Sequence, residues 1–179
     1  MAWHGGNGWD YYPPYMSVGE KKAHGALALA KLLKRSKRAA DPVVLAHRKR
    51  QLAGTFWGQA WADNLERYAD LANRLPRGRA YLRNGSVLDL AIGPGRVEAY
   101  VAGSELYRVT IGIAPLAKAR WRRIVTQCTG RIGSLVGLLR GELSAEVCKH
   151  VAAVLYGVAI RLDTRPELFF DLRRVDQAE

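Results

Sequence analysis

Cys148-Lys149-His150 places a thiol and an imidazole two positions apart, and these are the side chains that bind zinc most readily after deprotonation. Where a helix is just beginning and its first turn is not yet regular, both can face one ion, and together they supply half of a tetrahedral shell. Cys128, the second cysteine, falls on the apolar face of an expected helix and reads as a core residue. Two cysteines make no disulfide framework. Other chemistry is scarce. The chain has no Ser elbow, no G-x-x-x-x-G-K phosphate loop and no H-E-x-x-H. Asp63 with Glu66, and Asp89 with Glu98, read as isolated carboxylates on a surface or a sheet edge. His4, His24 and His47 sit in polar or basic surroundings and read as solvent-exposed. A non-catalytic protein is expected.

The pair must be positioned by the elements around it. Ser144 and Glu146 signal a helix start, and Val147, Val151, Val154, Leu155, Val158 and Leu162 give that helix a core stripe running to Asp163. A tail at 165–172 adds one helical turn that docks Phe169 and Phe170. Upstream, Ser86–Ile92, Arg96–Ala102 and Leu106–Ile113 are strand-like runs separated by Gly93-Pro94-Gly95 and Gly103-Ser104-Glu105, a small antiparallel meander. Val87 and Asp89 are read onto one face of it. Trp57–Leu75 has helical spacing and ends at Pro76; a basic link, 77–83, follows. This helix and another beginning after Pro115 and carrying Leu116, Trp121 and Cys128 to Leu139 are expected to cover the sheet. Gly141 stops the latter.

Charge is the other strong signal. The 179 residues carry 28 Lys and Arg against 16 Asp and Glu, a net charge of +12, which favours polyanionic partners, nucleic acid first among them. The excess is concentrated, with ten Lys or Arg and one Asp between Lys21 and Arg50. Ser17 is a fitting cap for a helix through Arg38, with Ala26, Leu27, Leu29, Ala30, Leu32 and Leu33 as its apolar stripe and Lys31, Lys34, Arg35, Lys37 and Arg38 crowding its end. Asp41-Pro42 breaks it, and Val43-Val44-Leu45 reads as extended. With Arg48, Lys49, Arg50, Arg77, Arg79 and Arg83, these cations are the candidate phosphate contacts. Residues 1–16 mix Trp3, Trp9, Tyr11, Tyr12 and Tyr15 with Gly and Pro and read as an irregular arm. No apolar run is long enough for a membrane span, and the first residues lack a signal-peptide pattern, so a cytoplasmic protein is expected.

The run from Cys148 to Gly157 resembles the closing half of the SWIM zinc finger, a pattern of C-x-C, a spacer, then C-x-H opening a helix. Thr55-Phe56-Trp57-Gly58 with Trp61, Arg77-Gly78-Arg79 with Tyr81, and Val87-Leu88-Asp89-Leu90 are similar to the segment before the finger in bacterial members. Pro94-Gly95-Arg96-Val97, Gly103-Ser104 with Tyr107, and Pro166-Glu167-Leu168-Phe169 extend the likeness, which spans Thr55 to Val175. The opening C-x-C is missing: six residues separate Gly141 from Cys148, and none is Cys or His. The resemblance implies zinc at Cys148 and His150, DNA binding or protein contact, and work beside a Snf-type helicase. Three arrangements follow for the half-site: a remnant without metal, a zinc shared by two chains of a homodimer, or ligands brought by a partner.

The expected fold is α+β, a small antiparallel meander packed against helices, with an aromatic and basic N-terminal arm over 1–50, an α+β domain over 51–141, and a truncated finger-like helix and tail over 142–179. The expected function is sequence-independent contact with nucleic acid, DNA above all, through the basic surface. The alternative is an adaptor whose basic arm meets an acidic protein surface on a helicase or another large assembly.

Overall fold

A computed structural model gives an α+β fold and describes residues 15–45, 52–67, 73–127 and 147–175. Its elements in order are α1 (Val18–Ser36), α2 (Phe56–Glu66), α3 (Leu75–Arg83), β1 (Val87–Gly93), β2 (Arg96–Ala102), β3 (Leu106–Gly112), α4 (Lys118–Gln127), α5 (Lys149–Thr164) and α6 (Leu168–Arg173). The three strands form one antiparallel sheet in the order β1-β2-β3, with the turns where Gly-Pro-Gly and Gly-Ser-Glu require them. Gly95 adopts φ +68, the left-handed conformation that favours glycine there.

Helix starts follow local chemistry. The Ser17 hydroxyl accepts the Glu20 N–H at 3.2 Å while the Glu20 carboxylate accepts the Ser17 N–H at 2.7 Å, a reciprocal capping box. Thr55 caps α2 through the Gly58 N–H. Past α1, residues 41–43 run along β1: the Val43 N–H donates to the Val87 carbonyl and the Leu90 N–H to the Asp41 carbonyl.

The core differs from expectation in its centre. α5 lies at the heart of the protein, with Ala152, Ala153, Val154, Leu155, Tyr156, Val158 and Ala159 each at most 1% exposed. Apolar residues all round its axis, rather than along one stripe, mark a helix enclosed by neighbours. α5, rather than α2 or the helix after Pro115, covers the sheet face built by Val87, Leu90, Val97, Ala99, Val101 and Val109, and α2 packs on α5 instead. Leu116 and Trp121 instead form a small separate cluster with Phe170 and Val175. Burying an aliphatic side chain as completely as Leu155 or Val158 contributes roughly 1.5–3 kcal/mol.

The segment read as a basic link is α3. Pro76 does not end a helix here but sits in the first turn of one, where its missing N–H costs nothing and its fixed φ suits the helix. α3 packs closely on α5 at Gly78: a Cβ there would lie 2.5 Å from the Ala152 methyl. The expected helix through Leu75 ends at Glu66, and residues 68–72 lie outside the described residues. So do the arm over 1–14, Cys128, the run to Leu139, and the stop and restart at Gly141 and Ser144.

One register detail overturns another expectation. Val87 pairs with Val101 but Asp89 pairs with Tyr100, so β1 carries an extra residue at this point, a bulge. The bulge sends Asp89 to the face opposite Val87, toward α1. Along α1 only Gly25 and Leu29 are buried. Leu27 is 66% exposed and Leu32 47% exposed, so most of the expected stripe has no cover among the described residues.

Candidate functional site

Cys148 stands just before α5 with an extended backbone, φ −79 and ψ 169, and so belongs to no regular turn. That lets its side chain fold back on the first turn. Cys148 Sγ lies 3.9 Å from His150 Nδ1. Two ligands of one tetrahedral zinc, at bond lengths of about 2.3 Å to sulfur and 2.0–2.1 Å to nitrogen, stand about 3.6 Å apart. The pair therefore fits as half a shell after a small adjustment. Among the described residues no group of three His, Cys, Asp or Glu side chains is close enough to hold an ion, so a full shell would need ligands beyond them.

The imidazole is held tightly. His150 is 8% exposed, stacks on Tyr107 with ring centroids 3.9 Å apart and planes 19° from parallel, and meets Tyr81 edge-on at 5.3 Å. Lys149 Nζ sits over the Tyr81 ring at 5.4 Å. Burial first, and the Lys149 charge second, hold the His150 pKa below its ordinary value, favouring the neutral ring that metals bind. Its Nε2 is buried and has no hydrogen-bond partner; a Cβ added to Gly103 would lie 3.3 Å from it. Nothing local in the sequence points to the two tyrosines around the imidazole, because Tyr81 arrives from α3 and Tyr107 from β3, both distant in the chain from the start of α5.

The cationic candidates divide. Lys31, Lys34, Arg35 and Lys37 are exposed along the last two turns and the left-handed C-cap of α1. No carboxylate pairs with any of them among the described residues. Arg38 is committed elsewhere: its guanidinium donates to Asp89 in β1. The hydrogen bond to Asp89 is the largest cause holding the Arg38 pKa above its ordinary value. Asp89 is thus no isolated surface carboxylate but a buried partner, 1% exposed, that also accepts the Asp41 N–H at 2.9 Å.

On α3, Arg77 is exposed, whereas Arg79 donates to Glu66 at 2.7 Å. Glu66 also accepts from the Tyr156 hydroxyl at 3.2 Å, so neither it nor Arg79 is isolated. Arg83 is exposed and has interactions of its own. Glu98 bridges Arg96 at 2.6 Å and Arg108 at 3.1 Å. Arg48, Lys49 and Arg50 lie outside the described residues, as do His4 and His47, while His24 is exposed as expected. Among the described residues the end of α1 brings four exposed cations together with no carboxylate paired to them. Beside it runs a groove of about 670 Å³, floored by Leu29, Leu33, Pro42 and Leu88 and edged by Lys34 and Lys37. No described helix is long and apolar enough to cross a membrane.

Comparison with known proteins identifies one relative. The chain is 34% identical over 129 residues, 71% of its length, to the uncharacterized protein Rv2102 of Mycobacterium tuberculosis strain ATCC 25618 / H37Rv. The match covers 46% of that protein, so the chain spans about half the length of the curated relative it matches. No family model matches the chain. No solved structure matches it either.

Proposed function

We propose that the chain is a non-catalytic nucleic-acid-binding module that grips the phosphate backbone, that of DNA above all, without reading base sequence. One observation carries the reading: Lys31, Lys34, Arg35 and Lys37 are exposed together and unpaired among the described residues, while nearby Arg38 and the more distant Arg79 are tied to carboxylates. Cations at a helix C-terminus are favoured by its dipole, but four of them crowd one another without a polyanion. Neutralising four phosphates gives a log affinity that falls against log salt with a slope near −3.6. The test is binding to a random-sequence duplex across a salt series. Each of Lys34→Ala and Lys37→Ala should reduce the slope by about 1, and binding that ignores both substitutions would reject the reading.

Zinc enters as part of the same proposal, on the likeness to SWIM fingers and the 3.9 Å approach of Cys148 Sγ to His150 Nδ1. The two side chains would hold the ion and a second copy or a partner would complete the shell, a structural site with no catalytic step. Native mass spectrometry decides among the arrangements. Half a zinc per chain in a dimer fits the shared site, one per monomer requires ligands from within this chain, and none in the isolated chain leaves a remnant or a site that a partner completes, which zinc content in the presence of the partner separates.

A second reading, an adaptor docking on a helicase-type protein or another large assembly, is favoured by the groove along α1. Its apolar floor and lysine rim suit an acidic amphipathic segment. Competition by random-sequence duplex separates the two: a protein partner held by the apolar floor stays bound when duplex is added.

A further inference from the structure

Arg173, in α6, is 8% exposed, and its Nε has no hydrogen-bond partner. Among the described residues no carboxylate forms an ion pair with it. Its electrostatic neighbour is another cation. Burial first, and the like charge of exposed Arg120 in α4 second, push the Arg173 guanidinium below its ordinary pKa. A guanidinium stays charged at any physiological pH, so this is a largely buried cation with no counter-ion among the described residues, an arrangement that folding alone disfavours.

The same corner holds a second orphan donor. Trp121 is 9% exposed and meets Phe170 edge-on at 5.9 Å, three residues before Arg173, and its indole Nε1 is also buried without a partner. The two elements are tied directly, since the Leu116 N–H donates to the Arg173 carbonyl at 2.9 Å. Tryptophan nitrogen donates and cannot accept, and so does guanidinium. Two buried donors and a flanking cation are the complement of an oxyanion.

We propose that the corner between α4 and α6 seats a phosphate-type oxyanion, received by the Arg173 guanidinium and the Trp121 indole N–H with Arg120 at its mouth. Guanidinium matches the geometry of phosphate oxygens, and an indole N–H satisfies a further one. This seat is distinct from the cations of α1. α6 adjoins the β1–β2 turn, where the Gly95 N–H donates to the Asp171 carbonyl, whereas α1 packs near Leu88, about 20 Å away along β1 at roughly 3.3 Å per residue. The phosphate belongs either to a nucleic-acid backbone or to a small phosphorylated molecule.

The test titrates inorganic phosphate into the full chain at ionic strength held constant with chloride, following the Trp121 indole N–H by nuclear magnetic resonance. Wild type should give a saturable shift of that resonance. Arg173→Met should abolish it and, in phosphate-free buffer, raise the thermal midpoint, because a buried uncompensated charge has gone. Arg120→Gln, a change at an exposed position that leaves folding intact, should weaken apparent affinity about threefold. Absence of a saturable shift in wild type, or an unchanged shift in both variants, overturns the seat. A random-sequence duplex that moves the same resonance and displaces phosphate assigns the seat to nucleic acid. Phosphate binding that the duplex leaves untouched assigns it to a small ligand.

Discussion

Arg38 and Asp89, 51 positions apart in sequence, form an ion pair across the face of the sheet that α1 overlies, with the arginine side chain 43% exposed and the carboxylate side chain 2% exposed. The asymmetry decides what each substitution costs. Removing Asp89 leaves a guanidinium that can turn to water, whereas removing Arg38 leaves a buried carboxylate with the Asp41 N–H as its remaining partner. Arg38→Ala should therefore destabilise by about 2–3 kcal/mol, at least as much as Asp89→Asn, as read from urea denaturation. The same Arg38→Ala protein, while folded, should keep the wild-type salt slope for duplex binding, because this cation is already engaged.

Gly78 should tolerate no side chain. A methyl group there would meet the Ala152 Cβ at 2.5 Å and the Ala152 carbonyl carbon at 2.9 Å, between two helices that cannot separate without opening the core. Gly78→Ala is expected to cost about 1–3 kcal/mol despite the better helix propensity of alanine. Gly112→Ala, with open space around the added atom, should stay within about 0.5 kcal/mol of wild type. Thermal or urea midpoints of the two variants compare them directly.

Tyr156 links stability to alkaline pH. Burial above all raises its pKa from 10.0 to about 12, so between these values the folded protein keeps a phenolic proton that the unfolded chain releases. The stabilisation from this group is complete below the unfolded value and is lost as pH rises through the folded one. Wild type should thus lose stability over that window more steeply than Tyr156→Phe. Near neutral pH the variant should be weaker by about 1 kcal/mol, for the hydrogen bond to Glu66. Parallel denaturation midpoints across the window would show no change in the gap between the two proteins if the phenol does not titrate this way.

Trp61 anchors α2 to the central helix by donating its indole N–H to the Leu155 carbonyl at 2.9 Å. Trp61→Phe keeps an aromatic ring but loses that bond and part of the buried area, at a cost of about 2 kcal/mol. Fluorescence-detected unfolding must use the remaining tryptophans, with circular dichroism as the independent probe.

Short-range signals in the chain were enough to place the three strands, the turns at Gly93-Pro94-Gly95 and Gly103-Ser104-Glu105, the Ser17 cap, and the docking of the two C-terminal Phe residues. Each depends on conformations of neighbours a few positions apart: period-two alternation, glycine at positive φ, a hydroxyl three residues before an amide. The candidate thiol and imidazole were legible for the same reason, being two positions apart. Tertiary structure decided what lies between distant segments. The β1 bulge turned Asp89 toward Arg38, the small size of Gly78 and Ala152 let α3 lie directly on α5, and packing from every side put α5 at the centre. Whether a basic residue is free to meet a phosphate depends on whether a carboxylate from elsewhere reaches it first, and composition carries no record of that distance.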